Sequence, residues 1–327
     1  MSDRNLTPMK NIFAAIDIGT HTARLLIATV DADSMRIKDI AGSRNYIRLG
    51  EAWCNEGDVV LGDAALERTV LAIKAFSEII FGFDVCSVRA VGTGILREAS
   101  NREEFLDLVS KRTGIRIETI SGEEEARLSA KGVASALGLG DDPFFLFDLG
   151  GGSTEFYLQA EGRSETTSLP IGAMRMKRRF ITEDPPDRRS VEMIESYVEE
   201  CVSKALGHMK LRKSTVPPVI GTGGTVVALA CINKGLNISQ ISRESVNCLP
   251  LERIRVDGML EEFASMRLEK LISYKGLDAQ RAEVIIAGAA IVSTLFRLLD
   301  KNSISVSMSD LLDGLILESH GGKRYER

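Results

Sequence analysis

Residues 148–158 read DLGGGSTEFYL, and residues 17–27 read DIGTHTARLLI. Position by position, both run Asp, apolar, Gly, two free positions, Thr or Ser, two more free positions, then three apolar residues. An apolar run leads into each, IFAAI before Asp17 and FFLF before Asp148. Each unit therefore reads as a strand, a glycine turn and a second strand. The two starts lie about one domain's length apart. This predicts an internal duplication, with two similarly folded units that each offer one strand–turn–strand loop. Three consecutive glycines, Gly150, Gly151 and Gly152, give up side chains at an entropic cost. That makes sense where the backbone itself must approach something closely.

Around the repeat, strand and helix patterns alternate. NIFAAIDIG (11–19), ARLLIATV (23–30) and MRIKDIAGS (35–43) open the chain as antiparallel strands. Helical periodicity follows over Gly62–Phe81, then a strand at VCSVRAVGT (85–93) and a helix over Arg102–Lys111. A strand at IRIETI (115–120) precedes a helix over Ser121–Leu137. The second half continues with a helix over Arg188–Met209, a strand at PPVIGTGGT (217–225) and a helix from Val226. A long helix over Ala279–Leu299, a strand at SISVS (303–307) and a helix after Ser309 close it. This alternation predicts the α/β class. At 327 residues the chain exceeds what one core usually supports, so two domains are expected, 1–124 and 125–327, with the last helix packing back on the first.

Composition narrows the partners. The chain is 44% hydrophobic and 27% charged, with a net charge of −5, so no global basic field attracts nucleic acid. An anionic ligand must be held by local positive charge or metal. Five cysteines (Cys54, Cys86, Cys201, Cys231, Cys248) are odd in number, scattered and without a CxxC pair, which predicts reduced thiols and a cytoplasmic setting. The first apolar stretch is broken by Asp17, so no signal peptide is expected. Val284–Phe296, the longest apolar run, falls short of the roughly 20 residues that span a bilayer and reads as a core helix.

The glycine loops carry the chemistry. Backbone N–H groups gathered into one concavity bind phosphate oxygens, and the hydroxyls of Thr20, Thr22, Ser153 and Thr154 add donors. Asp17 and Asp148 would repel phosphate directly; they make sense with Mg²⁺ between carboxylate and phosphate, usually through the ion's waters. A third loop, GTGGT at Gly221–Thr225, opens a helix and supports phosphate binding through Gly223, Gly224 and Thr225. It is not a dinucleotide fingerprint, because Val226 stands where the last glycine belongs, and the chain has no GxxxxGK[ST] loop. In SGEEEARLSAKG (121–132), Ser121 and Glu124 form a predicted capping box and Glu123 complements the helix dipole. Glu125 has no such job. It shares a face with Leu128, Ser129 and Gly132, where desolvation raises a carboxyl toward the general-base range. Arg97, in a turn after a strand, suits bidentate phosphate contact or a surface ion pair. His21, inside the first loop, reads equally as a ligand-facing donor and as a turn residue. Arg175, Lys177, Arg178 and Arg179 read as a solvated helix face or as a polyanion track.

Seven motifs in order then resemble one family: AAIDIGTHTARLLI, VGTGILREASN, SGEEEARL, DLGGGSTE, GTGGTVVALA, QRAEVIIAGAAIV and SVSMSDLLDGLI. Together, over about residues 12–318, they resemble the exopolyphosphatase/guanosine pentaphosphatase (Ppx/GppA phosphatase) family in its short two-domain form. The resemblance implies two actin-like (ribonuclease H-like) domains with the active site between them, and a dimer. It implies Mg²⁺-dependent (or Mn²⁺-dependent) release of terminal phosphate from inorganic polyphosphate, or of the 5′ γ-phosphate of guanosine pentaphosphate. It maps the water-activating base to Glu125 and a phosphate-binding arginine to Arg97. The metal and phosphate loops map to Asp17, Gly19, Asp148, Gly150, Gly151, Ser153 and Glu155, with Gly223, Gly224 and Thr225 completing the cleft. Three departures stand out: GTHT where the family has GSNS, Leu312 and Asp313 where Arg and Glu are usual, and Glu283 for Asp. They are expected to alter the phosphate grip and to weaken contacts in the second domain. Long members carry a further C-terminal helical region, so weak processivity on long chains is expected. Alternatives to the exopolyphosphatase are the guanosine pentaphosphate hydrolase, a small-acid or sugar kinase, and a non-catalytic polyphosphate or alarmone sensor.

Overall fold

A computed structural model of the protein describes residues 11–53, 58–211 and 215–321. Its first hairpin pairs β1 (Ile12–Ile18) with β2 (Thr22–Val30) antiparallel, placing Asp17 opposite Arg24. β3 (Ile37–Tyr46) extends it on one side; β4 (Val85–Gly92) and β5 (Ile117–Thr119) add parallel strands on the other. The order is β3-β2-β1-β4-β5.

The second hairpin repeats this plan. β6 (Phe144–Leu149) and β7 (Thr154–Ala160) pair antiparallel with Asp148 opposite Glu155, and β8 (Arg163–Leu169) extends them. β9 (Val219–Thr222) runs parallel to β6, β10 (Leu249–Glu252) lies at the far edge, and β11 (Ser303–Val306) sits between them, parallel to β9. From β8, the order β8-β7-β6-β9-β11 matches the first sheet, with β10 added. Even the turns agree: Gly19 N–H donates to the Thr22 carbonyl at 2.9 Å, and Gly150 N–H to that of Ser153 at 3.0 Å. The α/β duplication expected from the repeat is the observed architecture.

Alternation along each central strand serves two cores. Ala14, Ile16 and Ile18 of β1 face a cluster with α1 (Asp63–Phe81), α2 (Ile95–Glu98) and α3 (Arg102–Thr113). Phe144 and Leu146 of β6 face Ala130 and Val133 of α4 (Gly122–Leu137). Phe145, Phe147 and Leu149 face the largest core, built with α5 (Ala173–Phe180), α6 (Arg188–His208), α7 (Gly224–Lys234), α8 (Arg243–Val246), α9 (Arg253–Ala264), α10 (Leu268–Ile272) and α11 (Ala279–Leu298). Every residue of α11 from Val284 to Phe296 is buried, as a core helix requires. Phe13 and Ala15, on the other face of β1, pack with Leu311, Leu315 and Ile316 of α12 (Leu311–His320). The last described helix thus covers the first sheet, and the expected division at 124/125 falls in the first turn of α4.

Two local expectations are corrected. The Ser121 hydroxyl does accept from Glu124 N–H at 3.1 Å, but Glu124 turns outward to Arg127 instead of completing the box. Reciprocal boxes form elsewhere, between Asn237 and Gln240, between Ser242 and Ser245 at α8, and between Asp310 and Asp313 at α12. α7 also begins two residues early, at Gly224, because Gly223 at φ 97° caps it. Among the described residues, no helix is long and apolar enough to cross a membrane. Cys86, Cys201, Cys231 and Cys248 are free thiols, and Cys54 lies outside the described residues.

Candidate active site

The strand ends bring three glycine loops to one cavity. Asp17, Gly19 and Thr20 line it from the first hairpin, Asp148 and Gly150–Ser153 from the second, and Gly223 and Gly224 from the third loop. Glu125 lines it from the first turn of α4.

The second loop is held from behind. The N–H groups of Ala173, Met174 and Arg175 donate to the carbonyls of Gly150 and Gly151 at 2.9–3.1 Å, and Gly172 N–H donates to Gly152 at 3.2 Å. In a trans peptide the N–H points opposite to the carbonyl. With these carbonyls turned to α5, the amides of Gly151, Gly152 and Ser153 turn toward the cavity. The contact is tight: a Cβ on Gly172 would lie 2.4 Å from Gly151 and Gly152 backbone atoms. Gly223 is equally constrained, because its Cβ would lie 2.3 Å from the Leu149 carbonyl oxygen.

Four acids gather around this surface of backbone amides. Asp17 Oδ2 accepts from Arg24 Nε at 3.0 Å and Nη2 at 2.7 Å, and Thr93 donates to its Oδ1 at 3.2 Å. Arg24 Nη1 turns to Asp310, the cap of α12. Asp148 accepts from the Ser129 hydroxyl at 2.7 Å. Burial, then Asp310 and Glu155, push its pKa up to about 7. Glu155 accepts from Ser168 at 2.8 Å and Arg97 at 3.3 Å, and burial raises its pKa. Glu125 pairs with Arg97 Nη1, and its side chain is 12% exposed. Burial first, and the Glu155 charge second, hold its carboxyl well above the usual range; Arg97 opposes both. Arg97 also reaches Ser153 Oγ at 3.1 Å, tying Glu125 to the second loop.

Asp148 supplies a pH test. Its folded pKa is raised, so the stability it contributes is full below its ordinary 3.8 and is lost as pH rises through about 7. Asp148→Asn removes that loss and keeps an acceptor for Ser129. In metal-free buffer, the melting temperature of the variant relative to the parent is expected to climb from pH 5 to pH 8. A difference that stays constant with pH would show that Asp148 ionises without cost.

Against this geometry, a family model, the Ppx/GppA phosphatase family, matches residues 26–321. The chain belongs to the Ppx/GppA phosphatase family. Among Ppx/GppA relatives, exopolyphosphatase 2 of Mycobacterium tuberculosis is 30% identical over 322 residues, 94% of this chain and 98% of that protein. The bifunctional 3-dehydroquinate synthase/phosphatase of Fusobacterium nucleatum is 32% identical over 94% of this chain, which spans 47% of that protein's length. The crystal structure of the Aquifex aeolicus family member superposes with a TM-score of 0.78 at 27% identity, covering 97% of this chain and 99% of that one. An exopolyphosphatase from Cytophaga hutchinsonii gives 0.84 at 25%, covering 96% and 99%.

The departures from the Ppx/GppA motifs have partners here. Glu283 pairs with Arg48 at 3.1 Å, Asp313 pairs with Arg243 at 2.5 Å, and Leu312 joins the core under α12. His21 is buried edge-on to Tyr46, 5.1 Å between ring centres, and does not line the cavity. Burial, then Arg281 and Arg48, lower its pKa to about 4, so it is neutral near pH 7. Thr225 is buried behind the third loop, against Gly288. The reading of residues alone passed over Arg24, which sits within an apolar strand pattern, and the α5 N-terminus behind the glycine loop. Pairing register is the signal that finds Arg24: seven residues after each loop aspartate stands its cross-strand neighbour, Arg24 or Glu155.

Proposed function

We propose that the protein is an exopolyphosphatase that hydrolyses the terminal phosphoanhydride of inorganic polyphosphate. Glu125 carries the reading: a desolvated carboxyl of raised pKa, tied by Arg97 to the second glycine loop, in a cavity where three such loops meet. The mycobacterial relative, named an exopolyphosphatase and matched nearly end to end, supports the choice of substrate.

The terminal phosphate lies against the amides of Gly151, Gly152 and Ser153, with the third loop opposite. Arg97 neutralises charge that develops on the transferring group. Glu125 takes a proton from the attacking water as the new P–O bond forms. The anhydride P–O bond breaks, and the shortened chain leaves with its electron pair. Mg²⁺, or Mn²⁺, fits the donor set: five acids (Asp17, Glu125, Asp148, Glu155 and Asp310) outnumber three guanidiniums, Arg24, Arg97 and Arg281 beside Gly224, and burial with the charges of Asp310 and Glu155 pushes the Asp148 pKa up to about 7. Asp17 and Asp148 would hold the ion, with Glu155 behind them. Contact would run largely through the ion's waters, several of which Mg²⁺ usually keeps. When bound, such an ion screens phosphate oxygens from the carboxylates.

Phosphate release with Mg²⁺ from short polyphosphate, long polyphosphate and guanosine pentaphosphate tests this, with Glu125→Gln as control. Glu125-dependent release, fastest from polyphosphate, is expected. Preference for guanosine pentaphosphate would move the assignment to the other family activity. Binding without release would make the protein a sensor.

A further inference from the structure

Asp17 and Asp148 hold equivalent places in the two hairpins, yet their carboxylates are engaged differently. Both oxygens of Asp17 are taken, Oδ2 by Arg24 and Oδ1 by Thr93. Asp148 has one oxygen taken, Oδ2, by the Ser129 hydroxyl. Its Oδ1 has no hydrogen-bond donor among the described residues. Asp148 lines the cavity; Ser129 is fully buried and does not.

The Ser129 bond is not the ordinary one for a hydroxyl inside a helix, which is to the carbonyl one turn back. Thr69, Ser77, Thr113, Thr294 and Ser319 all donate to the carbonyl four residues before them. Ser129 turns instead to a side chain on another element. The terminal torsion of an aspartate is broad, so a carboxylate held by nothing samples many orientations. A donor on Oδ2 removes that freedom and fixes where Oδ1 stands. Ser129 also follows Glu125 by four residues, which puts both on one face of α4. One helix thus carries the base and holds the aspartate of the second loop.

We propose that Ser129 is a positioning residue for the ion site. It pins Asp148 so that Oδ1 is the oxygen offered to Mg²⁺ or to one of its waters, while Asp17 stays committed to Arg24 and Thr93. This rests on the metal-dependent reading above. The competing explanation is a packing contact that steadies α4 against β6 and has no bearing on the ion.

Melting temperature titrated with Mg²⁺, in the full chain and without substrate, separates the two. Ser129→Ala is expected to raise the Mg²⁺ midpoint of the thermal shift about tenfold or more, the scale of removing a partner behind a metal ligand. In phosphate release the half-saturating Mg²⁺ should rise alike, with kcat at saturating Mg²⁺ near the parent's. Ser129→Cys, similar in size and a weaker donor, should fall between. Ser293→Ala is the matched control. It removes a serine's bond to Asp257 at 2.6 Å, between α11 and α9, and neither residue lines the cavity. It should lower the melting temperature and move neither Mg²⁺ midpoint. If Ser129→Ala behaves like Ser293→Ala, or lowers kcat with both midpoints unmoved, the proposal falls. A parent whose melting temperature and phosphate release both ignore Mg²⁺ and Mn²⁺ would overturn it too, while Glu125-dependent release left the hydrolase standing. No release by the parent, with a Mg²⁺ shift that depends on Ser129, would remove the hydrolase and keep the positioning role.

Discussion

Glu125→Gln is expected to lower phosphate release by about 10²–10⁴-fold, the range of a general base, while fold and polyphosphate affinity persist. The amide keeps the side chain's size, and Arg97 retains Glu155 and Ser153 as partners. Removing a buried carboxyl whose pKa is raised also removes the cost of ionising it at neutral pH. The melting temperature of the variant should therefore equal or exceed the parent's near pH 8. In the parent, the base works only as carboxylate. Turnover should rise with pH along a limb set by Glu125, above the range of an ordinary glutamate, because burial and Glu155 outweigh Arg97. The residual activity of the glutamine variant should lack that limb. A folded variant with near-parental turnover would take the role from Glu125.

The duplication was legible because it is written in local terms. A glycine turn of fixed length between two apolar runs specifies a hairpin, and equal turn length put Asp17 and Asp148 at equivalent places in two sheets. Elimination singled out Glu125, since the capping box was to account for Ser121 and Glu124 and the dipole for Glu123; its place in the cavity is what the fold adds. Half of that argument held: Ser121 caps, but Glu124 is drawn off by Arg127, a partner three residues along that competes for the same carboxylate. Long-range pairings were not legible. Arg24 and Asp310 are far apart in the chain, and nothing in either segment announces the other. The support of Gly150–Gly152 by α5 was hidden for the same reason, as was the dispersal of the basic run, whose members leave one short helix in different directions. His21 was balanced between ligand and turn residue because loop position alone does not say which way a ring points; Tyr46 takes it.

Gly314→Ala is expected to damage both stability and turnover, although Gly314 does not line the cavity. An added Cβ there would lie 2.1 Å from the Leu128 carbonyl oxygen. Gly132, on the facing helix, has the mirror problem, 2.3 Å from the Asp310 carbonyl. α4 and α12 thus cross backbone to backbone, with a glycine from each at the contact. Neither neighbour is a flexible side chain that could move aside, so the helices must part. Overpacking of this kind costs about 1–3 kcal/mol, sometimes more. The consequence for turnover follows from what each helix carries. α4 bears Glu125 and, through Ser129, orients Asp148. α12 begins at Asp310, which holds Arg24, which in turn holds Asp17. The crossing therefore sets the spacing between the two halves of the site, and a shift near 1 Å in such a spacing costs about 10²-fold in rate. Gly258→Ala is the matched control, because nothing lies within 4 Å of an added Cβ in the middle of α9. It should stabilise by about 0.5–1 kcal/mol, the usual gain for alanine in a helix, with turnover unchanged. Denaturant midpoints and phosphate release on the two variants read both effects. If Gly314→Ala unfolds and turns over like its parent, the helices have room to part, and the register of the two loops must be held elsewhere.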